Sequence, residues 1–430
     1  MPVSYYATES RTLIEVAPDG TITAIAETDS PPDDATRLPG IALPGFANVH
    51  SHAFHRALRG RTHGNGGTFW TWRETMYALA GKLDPDSYYE LARLVYAEMV
   101  VAGYTSVGEF HYLHHGPKGT RYADPNAMGN ALAQAAVDAG IRLTLLDTCY
   151  LAGGIGAELV GVQQRFGDDS VDGWRKRVDD FGFDAPNVRL GAAIHSVRAV
   201  PCDAIGIVAE WAGERSAPLH AHLSEQIAEN NACQARYGRT PTELLHEHGA
   251  LGPETTAVHA THLTSGDIAL LAAHGCTACF CPTTEADLAD GIGPARELVD
   301  AGVNLALGSD QHAVIDPFLE ARGLEAGERL RTGQRGRFAP VDLLVAATAH
   351  AAIGWPTLFE IGAPADFVTV RTDTIRTAGC APDQLILAAT SADVATVVVG
   401  GRVVARDGRH DTIGDVGPLL AARIERLWGE

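Results

Sequence analysis

Apolar residues along this chain come in short runs, and after residue 40 eight of them read as strands: 41–50, 105–111, 141–150, 188–195, 218–222, 255–259, 276–281 and 304–310. Between most of these runs the apolar spacing changes to the helical period. Residues 86–103 place Leu91, Leu94, Val95 and Met99 on one face. They follow Asp84-Pro85, a cap with a proline suited to the first turn. Thr240-Pro-Thr-Glu243 has the spacing of a capping box. Gly103, Gly140, Gly275 and Gly302 each end a helical pattern just before a strand, where a helix stop needs a left-handed residue. Strand–helix alternation implies a parallel sheet, and eight strands imply a closed (β/α)8 TIM-type barrel. The rival is an open doubly wound sheet. It would carry an early Gly-x-Gly-x-x-Gly turn, and the chain has none there.

The two flanks look different. Residues 1–43 hold Thr12-Leu-Ile-Glu-Val and Thr21-Ile-Thr-Ala-Ile around the turn Pro18-Asp-Gly. Residues 359–412 hold Asp366-Phe-Val-Thr-Val and Ala395-Thr-Val-Val-Val, with Gly400-Gly401 as a hairpin turn. Neither piece has enough apolar surface for a core of its own. They are expected to pair into one small β-sandwich domain beside a barrel over 44–358, with a C-terminal helix over 413–430.

Composition narrows the function. An apolar share of 46% and a charged share of 20% over 430 residues suit a globular chain with a large core. The net charge of -20 argues against nucleic-acid partners and anionic membranes. An anionic substrate would therefore need locally placed arginines. The first residues lack the pattern of a signal peptide, and no apolar stretch is long enough to span a bilayer. Seven cysteines without disulfide spacing suit a reduced, cytoplasmic protein. Cys276, Cys279 and Cys281 lie in a strand-like run and read as core thiols.

In such a barrel the site lies at the C-terminal ends of the strands, and chemistry-bearing residues collect there. His50 and His52 follow strand one, Glu109 and His111 end strand two, and His195 ends strand four. His222 and Glu225 close strand five, His259 strand six and Asp310 strand eight. Residues i and i+2 of a strand share a side, so His50 and His52 can reach one ion. The set reads as a metal-dependent hydrolase. Two other histidine pairs are set aside: His114-His115 as a loop tip, and His246-Glu-His248 as a helix end at the surface.

The constellation resembles the amidohydrolase superfamily, in its branch with one metal. The two-metal branch usually bridges its ions through a lysine at strand four, and 188–195 contains none. His222-Leu-Ser-Glu225 matches the His-x-x-Glu of the deaminases. The resemblance implies a metal held by His50, His52, His222 and Asp310. Three nitrogens and a carboxylate suit Zn2+, with Fe2+ the alternative. It also implies catalytic roles for Glu225, His259 and Asp310.

Phe69-Trp-Thr-Trp-Arg-Glu-Thr-Met-Tyr77, His195-Ser-Val-Arg198, Val258-His-Ala-Thr-His262 and Cys281-Pro-Thr-Thr-Glu-Ala resemble one branch, the formimidoylglutamate deiminases. That likeness implies hydrolysis of N-formimidoyl-L-glutamate to N-formyl-L-glutamate and ammonia in histidine degradation, with water activated by zinc attacking the formimidoyl carbon. Arg73, Tyr112, His195 and Arg198 would then hold the substrate, and a homodimer is common among such enzymes. One position departs from the pattern: Ala53-Phe54-His55-Arg56 carries histidine where members often have glutamine, so His55 is the chain's own variation on substrate holding. The rival readings are an aminohydrolase of a purine, pyrimidine or triazine ring, and a non-catalytic barrel. The second is disfavoured by the complete ligand set.

Overall fold

The computed structural model describes residues 2–64, 69–356 and 359–429. Its first strands are β1 (Val3–Ala7), β2 (Thr12–Val16), β3 (Ile22–Glu27) and β4 (Thr36–Leu38), which form a sheet in the order β3-β2-β1-β4. The run 41–50, expected as one barrel strand, is two. β5 (Ile41–Pro44) pairs antiparallel with a strand near the other end of the chain, and β6 (Phe46–Ser51) opens the barrel. Gly45 marks the break: a Cβ there would lie 2.3 Å from the Thr105 side chain, so only glycine lets the chain turn so close to the next strand.

The barrel continues with β7 (Tyr104–His111), β8 (Arg142–Cys149), β9 (Val188–Ile194), β10 (Leu219–Leu223), β11 (Thr255–His259), β12 (Thr277–Phe280) and β13 (Asn304–Leu307). All neighbours pair in parallel and in chain order. Past β13, the N–H groups of Ser309 and Asp310 both donate to the His50 carbonyl, at 3.2 and 2.9 Å, and close the ring. The expected alternation therefore holds. So do its punctuation marks: Gly103, Gly140, Gly275 and Gly302 have φ of 107°, 69°, 67° and 97°. The helix Pro85–Ala102 buries Leu91, Leu94, Val95 and Met99, and Asp84 accepts from the Ser87 N–H at 2.8 Å. Ala47, Val49, Val258, Cys279, Cys281, Ala306, Ile353 and Trp355 fill the barrel interior, so the two cysteines are core residues as expected.

The remaining strands are β14 (Phe367–Val370), β15 (Val394–Val399), β16 (Arg402–Arg406) and β17 (Arg409–His410), giving the sheet β17-β16-β15-β14-β5. Gly400 and Gly401, with φ of 55° and 71°, make the tight turn between β15 and β16. Tyr5, Ile14, Val16, Ile22 and Leu38 from the first sheet pack on Ala365, Phe367 and Val398 beside the second. The chain's two ends thus share one sandwich core. A last helix, Val416–Trp428, lies against Pro85–Ala102, and its Trp428 Nε1 donates to the Ala57 carbonyl at 2.9 Å. The expected boundary at 358 lies outside the described residues. Among the described residues no helix is long and apolar enough to cross a membrane.

Candidate metal centre and pocket

Strand ends become loops abruptly at the mouth of the barrel. Ser224, His259, Ala260 and Asp310 all have positive φ, between 40° and 68°. Non-glycine residues adopt this conformation at a cost of about 1–3 kcal/mol each, and such strain gathers at functional sites. Here it turns His259 and Asp310 toward the same axis as His50, His52 and His222.

His50, His52 and His222 offer ligand atoms all within 4.8 Å of one another, and so do His50, His259 and Asp310. Asp310 Oδ1 stands 3.4 Å from Nε2 of both His50 and His52, while Oδ2 is 3.9 Å from His259 Nε2. The tautomers follow from the other ring atoms. His52 Nδ1 lies 2.9 Å from the Phe110 carbonyl and His222 Nδ1 lies 2.9 Å from the His195 carbonyl. A carbonyl only accepts, so both Nδ1 atoms carry the proton and both Nε2 atoms present lone pairs inward. His222 Nε2 and His50 Nε2 are 3.1 Å apart. Burial, reinforced by neighbouring imidazoles, holds His50 and His222 well below the usual histidine range and His52 down to about 3. Neutral imidazoles with converging lone pairs beside a carboxylate are the donor set of a divalent cation.

His259 behaves differently. Burial opposes its charge, but Glu285, Glu225 and Asp310 together push it up to about 10. Its Nδ1 is 3.5 Å from Glu285 Oε1, and that oxygen also accepts from the Cys281 N–H at 2.7 Å. Glu285 was not singled out from the sequence, although it sits inside the quoted Cys281-Pro-Thr-Thr-Glu run.

A cavity of about 290 Å³ opens over these groups. Each substrate-side residue expected from the sequence lines it: His55, Arg73, Tyr112, His195 and Arg198, together with Glu225. His55 Nε2 is 2.8 Å from the Tyr112 hydroxyl, and its ring stands edge-on to Trp72. Arg73 stacks on Trp70 and Tyr77, with its guanidinium carbon 4.4 and 5.4 Å from the ring centres. Arg198 donates to Glu225 Oε2 at 3.0 Å. Residues 41–404 match the amidohydrolase family. The chain belongs to that family.

As an amidohydrolase it is a hydrolase acting on C–N bonds. It is 37% identical to formimidoylglutamate deiminase of Pseudomonas aeruginosa over 415 residues, 92% of this chain and 91% of that one, which bears out the likeness read from the quoted segments. It is also 29% identical to 8-oxoguanine deaminase of the same organism, over 90% of this chain and 86% of that one. An amidohydrolase from Brucella melitensis has a crystal structure that superposes with a TM-score of 0.89 at 31% identity, covering 99% of this chain and 100% of that one.

A second expectation about this amidohydrolase fails. His114 and His115 are not a loop tip; each is 1% exposed. His114 Nε2 lies 2.9 Å from the Thr148 carbonyl, and His115 Nε2 lies 3.0 Å from Asp168 Oδ1. Two buried carboxylates behind β7 and β8 draw them inward, which polarity along the sequence does not reveal. His111, His114 and Asp147 also bring ligand atoms together, but Arg177 already donates to both Asp147 oxygens, at 2.6 and 2.8 Å. The cation of that cluster is the arginine.

Gly308 gives the centre its first test. A Cβ there would meet His50 backbone and Cβ atoms at 2.8–2.9 Å, where neither partner can yield cheaply. Gly308→Ala is expected to cost about 1–3 kcal/mol of stability and to weaken metal retention, measured by thermal unfolding and by metal content after dialysis against a weak chelator.

Proposed function

We propose that this amidohydrolase converts N-formimidoyl-L-glutamate to N-formyl-L-glutamate and ammonia, a step of histidine degradation, with zinc at the centre formed by His50, His52, His222 and Asp310. The observation that carries the reading is the placing of two arginines, Arg73 and Arg198, in the one cavity that also contains His52, His222 and Asp310. The substrate has two carboxylates and one electrophilic carbon, and the cavity offers two guanidinium groups and one centre. The relative at 37% identity supports the same reading.

Zinc there would supply the Lewis acidity that makes water nucleophilic near neutral pH. The chain's own residues do the rest. Glu225 takes a proton from the attacking water and hands it to the departing nitrogen. Asp310, facing the histidines with one oxygen and His259 with the other, takes the second as the carbonyl forms and passes it to the departing ammonia, ending as carboxylate. His259, with its Nδ1 toward Glu285 and its Nε2 toward Asp310, donates to the oxygen as its charge develops. Arg198 and Arg73 bind carboxylates through planar forks that lysine lacks. Tyr112, His195 and His55 complete the polar wall.

The test is direct. Metal-loaded protein is expected to release ammonia and N-formylglutamate from N-formimidoyl-L-glutamate, and chelator-stripped protein neither. Arg198→Met should raise KM by about 10- to 150-fold, the worth of one hydrogen-bonded charge. Ring deaminase relatives and the aromatic lining of Trp72, Tyr77, Tyr112 and Tyr150 favour a second reading, hydrolysis of an amino-substituted purine. Turnover of 8-oxoguanine with none of the acyclic substrate would establish it instead.

A further inference from the structure

Arg198 has two acidic neighbours, and they are not equivalent. Glu225 Oε2 accepts from its Nη2 at 3.0 Å. Glu229 Oε1 stands 3.9 Å from its Nε, too far for a hydrogen bond, while that Nε donates to Ser196 Oγ at 3.3 Å. Glu229 has a side chain with 0% exposure, and neither of its oxygens accepts a side-chain hydrogen bond. It sits in the first turn of the helix Ile227–Tyr237, whose backbone dipole favours a carboxylate. Glu225 lies before that helix, next to Ser224 with its strained backbone.

A buried carboxylate held just short of a guanidinium is a costly arrangement. A small swing of Arg198 away from Glu225 would relieve it. An incoming anion provides the occasion, because one guanidinium cannot neutralise three carboxylates. Glu229 is locked into the helix, so Glu225 is the partner that gives way.

We propose that Glu229 is a positioning residue for Arg198: when a substrate carboxylate binds the guanidinium, Arg198 leaves Glu225 and pairs with Glu229, which frees Glu225 for proton transfer. This rests on the reading of the site given above. The proton count is that of the reaction: freed Glu225 gains a proton from the attacking water, loses it to the departing nitrogen and ends as carboxylate. Without a bound carboxylate Glu225 stays tied to the arginine. The device couples substrate charge to catalysis as well as to affinity.

Glu229→Gln keeps the shape and removes the charge. Its kcat on N-formimidoyl-L-glutamate is expected to fall about tenfold or more with KM not raised, the split that marks a lost transition-state contribution. The affinity for glutarate, measured by calorimetry on the zinc-loaded protein, should be equal or tighter, since one competing negative charge has gone. Glu229→Asp should recover part of kcat. A merely structural role would weaken KM, glutarate binding and thermal stability together. Wild-type kcat in Glu229→Gln, glutarate binding lost in parallel with kcat, or Glu229→Asp no better than Glu229→Gln would each overturn the proposal. If the wild type neither hydrolyses the substrate nor binds glutarate, the substrate reading falls and takes this inference with it. Wild-type turnover alongside an unaffected Glu229→Gln removes this inference alone.

Discussion

Glu225→Gln is expected to lower kcat by about 10²–10⁴-fold, the range for removing a positioned general acid–base group, while metal content and melting temperature stay at wild-type values. The pairing with Arg198 is the reason the fold should tolerate it. Glutamine keeps an oxygen that can accept from the guanidinium at the same 3.0 Å place, so no buried donor is orphaned. Glu225 contacts no partner needed for closing the barrel, which depends on the His50 carbonyl and the N–H groups of Ser309 and Asp310. Steady-state kinetics with metal analysis on the same sample decides the matter. Loss of metal in step with activity would move Glu225 from proton transfer to metal holding.

The second large effect lies away from the cavity. Arg177 donates to both oxygens of Asp147, at 2.6 and 2.8 Å, and to Asp168 at 2.9 Å, and all three residues are buried. Trp174 Nε1 completes the cluster with a bond to Asp147 at 3.1 Å. Arg177→Met strands the Asp147 carboxylate in the interior, while Asp168 keeps Arg121 at 3.3 Å and His115 at 3.0 Å; it should destabilise the protein by about 3–5 kcal/mol, read as a lower urea midpoint. Adding Asp147→Asn removes the stranded charge and should return much of the loss. If the single variant unfolds at the wild-type midpoint, the cluster carries no such weight. Activity per folded, metal-loaded molecule should change little, because none of the three lines the cavity.

The barrel was legible in the sequence because its rules are local. Period, caps and glycine stops each act within a few residues, and Gly103 or Thr240 announces itself from its neighbours alone. The histidines and Asp310 were legible because a barrel brings every strand end to one rim, so placing a residue on a strand also places it in space. What escaped depends on contacts across the fold. The break at Gly45 exists because Thr105 is close, and no feature of 41–50 contains Thr105. His114 and His115 look like a polar loop until Asp147, Asp168 and Arg177 are assembled behind them. Glu229 was invisible for the opposite reason: a glutamate in a helix is the commonest of surface residues, and Glu225, which shares Arg198 with it, lies outside that helix, so no helical spacing links the two.

The shared sandwich core has a consequence for the nascent chain. Tyr5 donates to the carbonyl of Gly401, 396 residues later. At a synthesis rate of about 5–20 residues per second, the N-terminal strands wait roughly 20–80 s on the ribosome for their partners. Throughout that time Ile14, Val16 and Ile22 have no inner face to meet, and β5 lacks the strand it pairs with. The barrel helices and strands can assemble progressively as they emerge, but residues 5–38 have to be kept from aggregating until residues 365–401 have been made.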